Sequence, residues 1–226
     1  MLSIIIPTYN ESENLDDFIR DVAKSLDKVD HEIIIVDDGS PDGTGKIAES
    51  LKNRYKNIKV LHRLRKRGLA SAVMDGIKES GGDIVATLNA DFQHPAEYLS
   101  VFYDYLNKYD VVIGSRYVDK AVLLNWPKKR MFLSKFAIFI THLFLPNLKK
   151  IRDPLSGYFV LRKKIIEDMH IEPFGPKCLP AILIKCASKR IIELPYVCKG
   201  RIKGRSKISI RNGILFIAYI FKLNMQ

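Results

Sequence analysis

Two hydrophobic periods alternate along the first half of the chain. Short runs rich in β-branched residues, Ser3–Ile6, Ile33–Asp37, Lys59–Leu61, Ile84–Leu88 and Val111–Gly114, have the length and composition of buried parallel strands. Between them the apolar residues take helical spacing. These sets are Leu15, Phe18, Ile19, Val22 and Leu26; Ile47, Ala48 and Leu51; Leu69, Ala70, Val73 and Ile77; and Tyr98, Leu99, Phe102 and Leu106. This alternation predicts βαβ units, hence an α/β fold whose mostly parallel sheet is covered by helices on both faces. Sheets of that kind bind ligands beyond the carboxyl ends of their strands. Attention therefore falls on Thr8–Glu11, Asp38–Gly45, Asn89–His94 and Ser115–Tyr117.

The second half breaks the pattern. Met131–Leu145 is apolar nearly all round, and as a helix it would span about 22 Å, short of the ~20 residues that cross a bilayer. Lys128, Lys129 and Arg130 precede it, and Lys149, Lys150 and Arg152 follow. Basic flanks around an aromatic-rich segment fit a helix lying in a membrane interface; a buried core helix or a partner-binding helix is the alternative. Ile208–Leu223 is similar and also too short to span. The chain shows no internal repeat and no Gly/Ser linker, which predicts one domain over residues 1–226.

Composition narrows the class. At 226 residues, 47% hydrophobic and 27% charged, the chain can bury a substantial core and is not disordered. Cys178, Cys186 and Cys198 form an odd set without a C-x-x-C pair, which argues against a disulfide framework or structural zinc and fits a reducing compartment. No basic n-region precedes Leu2–Pro7, so no secretory signal is expected. The net charge of +12 is unevenly spread. Residues 1–110 carry 14 Lys and Arg against 19 Asp and Glu, net −5, whereas residues 111–226 carry 23 against 6, net +17. The basic half calls for an anionic partner. Nucleic acid is not favoured, since no helix-turn-helix, RNP or OB-type signature accompanies the charge.

Three clusters carry candidate chemistry. Asp37-Asp38-Gly39-Ser40-Pro41-Asp42-Gly43-Thr44 ends a strand with two carboxylates that can accept from ribose or base, though the same residues serve as ordinary turn and cap chemistry. Asn89-Ala90-Asp91-Phe92-Gln93-His94-Pro95 sets hard oxygen donors at another strand end, suited to Mg²⁺ shared with a substrate's phosphates. His94 reads as a turn residue before Pro95 rather than a ligand. The third group is cationic: Arg116, Arg130 with Ser134 four residues on, and five cations within Lys199–Lys207, all able to hold phosphate oxygens. Trp126 reads as an interface anchor or a core residue.

These pieces, with Pro7-Thr8-Tyr9-Asn10-Glu11, Gly68-Leu69, Gly114-Ser115-Arg116-Tyr117, Asp153-Pro154-Leu155-Ser156-Gly157-Tyr158 and Gly204-Arg205-Ser206-Lys207, occur in one order. The series resembles a family-2 glycosyltransferase of GT-A fold, of the dolichyl-phosphate mannose synthase type. The resemblance implies that residues 1–117 bind a nucleotide sugar and that residues 118–226 face acceptor and membrane. It implies donor contacts from Pro7, Tyr9, Glu11, Val36, Asp38, Asn89, Ala90, Asp91, Arg116, Arg201 and Lys207. Asp91 and Gln93 would hold a divalent cation, Mg²⁺ or Mn²⁺, and Arg130 and Ser134 the acceptor phosphate. Asp91, Arg116, Arg130 and Arg201 would then carry catalysis. The implied reaction moves mannose from GDP-mannose to a polyprenyl (dolichyl) phosphate with inversion. UDP-glucose as donor, or a non-catalytic nucleotide-sugar-binding protein, are the alternatives. The family usually has Asp where Asn89 stands, so one negative charge is missing beside the cation. A protein of this kind is expected to be peripheral on the cytoplasmic face of a membrane, held by its apolar helices or by a membrane-anchoring partner subunit.

Overall fold

The computed structural model describes residues 1–65, 68–167, 177–186, 188–200 and 210–225. In chain order the elements are β1 (Leu2–Thr8), α1 (Leu15–Ser25), β2 (His31–Asp37), α2 (Thr44–Arg54), β3 (Ile58–His62), α3 (Leu69–Glu79), β4 (Ile84–Thr87), α4 (Leu99–Tyr105) and β5 (Val111–Ser115). There follow β6 (Val122–Leu124), α5 (Lys128–Phe144), β7 (Phe159–Arg162), α6 (Leu179–Lys185), β8 (Ile191–Pro195), β9 (Val197–Lys199) and α7 (Ile210–Asn224). Each of the five strands and four helices expected in the first half is present, within a few residues of its predicted bounds.

Seven strands form one sheet in the order β3-β2-β1-β4-β7-β5-β8, and β6 pairs with β9 in a small second sheet. Neighbours run parallel except at β7, which is antiparallel to both β4 and β5. The apolar runs are continuous because both faces are buried. Ile4, Ile6, Ile33 and Ile35 pack with Phe18, Leu51 and Phe102 on one side. Ile5, Ile34 and Val36 point the other way and pack with Val73, Met74 and Ile77 of α3. A Cβ on Gly76 would lie 2.5 Å from Ile5 Cγ2, so only glycine lets α3 sit this close to β1.

Over their described residues the two long apolar segments are helices with one face in the core, Ile138 on α5 and Phe216, Tyr219, Ile220 and Leu223 on α7, and the other face exposed. Along α5, Phe132, Phe136, Phe139 and Leu143 are exposed, and Ile214, Ile217 and Phe221 are exposed on α7. The helices meet edge to face at Phe144 and Phe221, with ring centroids 6.1 Å apart. Their exposed sides carry these apolar residues, and Lys128, Lys129 and Lys135 on α5, with Lys149 and Lys150 just after it, are exposed as well. No helix among the described residues is long and apolar enough to cross a membrane. Cys178, Cys186 and Cys198 are buried, unpaired thiols.

Candidate active site

The ends of β1 and β2 are laced together before any ligand is considered. The Asp38 N–H donates to Thr8 O (2.9 Å), Asn10 N–H to Ser40 Oγ (3.0 Å) and Glu11 N–H to Thr44 Oγ1 (2.9 Å). The D-D-G-S-P-D segment divides its labour residue by residue. Asp37 accepts from the Ser40 hydroxyl and N–H, and Asp42 from Ser12 and Thr44, so both hold the turn. Burial alone would raise the Asp42 carboxyl, but these donors bring it below the usual carboxylate range. Asp38 has a different role. Its Oδ1 accepts from Arg63 Nη1 (2.7 Å) and its Oδ2 from Gly68 N–H (2.9 Å), inside a buried ion pair. Arg63, which no sequence motif marks, fixes the carboxylate at this rim; it also donates to Ser71 Oγ at 2.6 Å.

Of the remaining first-half positions, Pro7, Val36 and Ala90 are buried, Val36 with its side chain in the core beneath α3. Tyr9 is half-buried, and Glu11 is buried and accepts from Asn14 Nδ2 (2.8 Å). All lie at or just beyond the carboxyl ends of β1, β2 and β4.

After β4 the chain turns sharply. Phe92 takes φ +59°, unusual for a bulky residue, and its ring is anchored edge-on against Phe18 at 5.4 Å. This kink presents Asp91 and Gln93 on either side of Phe92; the Gln93 N–H donates to Asp91 Oδ1 at 3.3 Å. His94 locks the loop from within. Its Nδ1 accepts the Asn89 N–H (3.0 Å), its ring stacks on Tyr158 at 5.1 Å, and Tyr158 in turn donates to Pro95 O (2.8 Å). Burial holds His94 neutral, pushing its pKa down to about 3 although Asp91 pulls the other way.

The cations converge on the same loop. Arg116 follows β5 and grips buried Asp153 through Nε and Nη2, both at 2.7 Å, and through its backbone N–H at 3.0 Å. Burial would raise the Asp153 carboxyl, but Arg116 draws it below its ordinary range. Arg130, in the first turn of α5, donates from Nη2 to Gln93 Oε1 at 2.9 Å. The guanidinium carbons of Arg130 and Arg116 lie 4.5 and 5.5 Å from the Trp126 ring centroid. Trp126, partly buried against the core, is also the platform for two arginines. Its indole N–H and the Gln93 amide nitrogen are buried without a partner. Lys177 completes the cluster. Burial and then Arg116 lower its ammonium to about 8, with Asp153 opposing. No motif marks Lys177 in the sequence, whereas Asp153 stands in a motif that assigns it no role. Ser134 is half-buried one turn after Arg130. Arg201 and Lys207 lie outside the described residues.

Asp91 and Gln93 offer one carboxylate and one amide oxygen. Among the described residues no three His, Cys, Asp or Glu side chains converge on a possible metal position. Two hard oxygens on a buried loop suit a cation that takes its remaining ligands from a phosphorylated substrate.

Residues 3–169 match the sequence profile of the family described as Glycosyl transferase family 2. The chain belongs to this family. This family-2 glycosyltransferase is 39% identical over 223 residues, 98% of its length, to the dolichol-phosphate mannosyltransferase of Pyrococcus furiosus, and it spans 63% of that relative. It is 34% identical to the polyprenol monophosphomannose synthase of Mycolicibacterium smegmatis, over 92% of this chain and 81% of that protein. With the dolichol-phosphate mannosyltransferase of Saccharomyces cerevisiae it shares 30%, over 98% of this chain and 85% of the yeast protein. Among solved structures, glucosyl-3-phosphoglycerate synthase from Mycobacterium tuberculosis, in complex with Mn²⁺, UDP-glucose and phosphoglyceric acid, superposes with a TM-score of 0.74. The match is at 17% identity, over 100% of this chain and 80% of that one. That likeness bears on the fold alone: the mostly parallel sheet between helices is the GT-A arrangement expected from sequence.

Proposed function

We propose that this family-2 glycosyltransferase transfers mannose from GDP-mannose to a polyprenyl (dolichyl-type) phosphate, inverting the anomeric carbon. The observation that carries the reading is the junction of Arg116 and Arg130 with the Asp91–Gln93 loop around Trp126. A cation cluster abutting a pair of oxygen ligands suits a reaction in which two phosphate-bearing molecules must meet. The names of the Pyrococcus, Mycolicibacterium and yeast relatives supply the sugar and the lipid class.

The chemistry asks little of acid–base groups. A phosphate monoester is already an anion at neutral pH, its second pKa being about 6, so it attacks C1 without a side-chain base. His94 is no base in any case, since it is buried, neutral and committed through Nδ1. What the residues do is bring anions together and steady the departing diphosphate. Asp153 orients Arg116, which keeps its charge at any working pH. Arg130 and Ser134 receive the acceptor phosphate from the side of α5, and Lys177 adds positive charge near Arg116. A divalent cation held by Asp91 and Gln93 would neutralise the donor diphosphate. Asp38, fixed by Arg63 and Gly68, faces the nucleoside, with Pro7, Tyr9 and Glu11 along the same rim; Val36, whose side chain is in the core, can offer only its backbone there. Asn89 keeps hydrogen-bonding capacity there at one charge less than a carboxylate. Arg201 and Lys207 belong to the same donor set by their motif.

The exposed apolar residues of α5 and α7, with the lysines on and just after α5, lie on the acceptor side and would rest on an anionic bilayer, placing the protein peripherally on the cytoplasmic face. The deciding experiment is transfer of radiolabelled sugar to polyprenyl phosphate by purified protein with Mg²⁺ or Mn²⁺. Lipid-linked mannose from GDP-mannose is expected; product from UDP-glucose instead, or none from either donor, overturns the assignment.

A further inference from the structure

Gln93 can offer a cation only its Oε1, because the amide nitrogen carries protons and has no lone pair to give. That oxygen is already engaged: Arg130 Nη2 donates to it at 2.9 Å while the same guanidinium rests on Trp126. A guanidinium and a dication on one oxygen would place like charges within contact range, where repulsion in a buried setting is strong. Arg130 also stands one turn before Ser134, on the helix that faces the lipid side. Two demands therefore meet on one side chain.

We propose that Arg130, docked on Trp126, is a latch on Gln93 that a divalent cation must displace, so that loading the donor side releases Arg130 to the acceptor phosphate. The inference rests on the assignment above of Asp91 and Gln93 to the cation and Arg130 to the acceptor. Trp126 becomes a positioning residue, holding the latch in its closed place. Removing the latch should strengthen cation binding, contrary to what loss of an ordinary active-site residue does.

The test measures Mg²⁺ affinity by calorimetry at saturating GDP for wild type, Arg130→Ala, Gln93→Ala and the double variant, each first checked for a cooperative thermal transition. Arg130→Ala is expected to bind Mg²⁺ about tenfold more tightly, the scale of one charge-assisted hydrogen bond. The gain should vanish in the Gln93→Ala background. In parallel, Trp126, the only tryptophan in the chain, reports the latch by its emission. Mg²⁺ with GDP should change the signal in wild type and leave Arg130→Ala unchanged. Unaltered or weaker Mg²⁺ binding by Arg130→Ala overturns the latch, as does a tightening that persists without Gln93. If neither wild type nor Arg130→Ala binds Mg²⁺ with GDP, the cation assignment itself falls and takes the latch with it; binding that ignores residue 130 removes the latch alone.

Discussion

Replacing Asp153 with Asn exchanges one oxygen for an amide nitrogen inside a buried ion pair. The Asp153 side chain is fully buried; its Oδ2 accepts two N–H groups of Arg116 and its Oδ1 a third. Asparagine has a single acceptor, so at best it keeps the two bonds at Oδ2 and turns its own NH₂ toward Arg116 Nη2. A guanidinium is then left without its counter-charge, with the Lys177 ammonium nearby. Breaking a buried pair from one side costs about 3–5 kcal/mol. For a chain of this size each kcal/mol moves the midpoint by about 2–4 °C, so Asp153→Asn should melt roughly 6–20 °C lower at pH 7. The pH course follows from the depressed Asp153 carboxyl. A carboxyl lowered in the folded state contributes fully above its unfolded value and loses that contribution as pH falls through the native one. Wild type and variant should therefore converge only in strong acid. Replacing both partners with apolar residues (Arg116→Met with Asp153→Leu) should restore most of the stability but not donor binding, separating structure from function. Differential scanning calorimetry with GDP titration reads both. An Asp153→Asn midpoint within 2 °C of wild type would refute the reasoning.

Further outcomes test other parts of the site. Asp91→Ala should weaken Mg²⁺-dependent GDP binding by about 100-fold or more, since it removes the one carboxylate of the ligand pair; calorimetry showing Mg²⁺ dependence within threefold of wild type would count against the pair. With its ammonium at about 8, Lys177 loses charge as pH rises. Diphosphate affinity should then fall by up to about tenfold per unit above pH 8, and Lys177→Gln should give a weaker, flat profile. A flat wild-type profile from pH 7 to 9.5 would exclude Lys177 from the site. The protein should float with anionic liposomes, and Phe136→Ser or Phe139→Ser should each lower partitioning about tenfold or more, the scale of one buried aromatic side chain. Recovery of wild type in the soluble fraction at low salt would remove α5 from the membrane.

Much of the fold is legible in the sequence. Strands buried on both faces need unbroken β-branched runs, which is why β1, β2, β4 and β5 stand out and why the strand-end loops point to the site; the edge strand β3 is half exposed. β7 escapes notice because Phe159–Arg162 is only four residues long and lies beyond a segment that breaks the alternation. The site's charged pairs are less visible, since nothing in local sequence links Arg63 to Asp38 or Trp126 to two arginines; those contacts are made by the fold. The turn chemistry of Asp37 and Asp42 and the nucleoside-facing position proposed for Asp38 share one motif, and only hydrogen-bond partners tell them apart. Helical periodicity marks the extent of α5 but not its exposure, because an aromatic helix reads alike whether it meets a core or a bilayer.

The antiparallel β7, seated between β4 and β5, has a consequence for how the protein is made. As the chain leaves the ribosome, β5 is complete well before Phe159 emerges, so β4 and β5, the two strands that β7 will join, must wait with a gap between them. During that interval each exposes an unpaired apolar edge of the kind that promotes aggregation. The strand that closes the gap also delivers Tyr158 to His94. Synthesis halted at residue 117 would therefore yield a sheet with an unguarded flank and a loose Asp91–Gln93 loop, and a cell producing it would depend on chaperones to keep it from clumping.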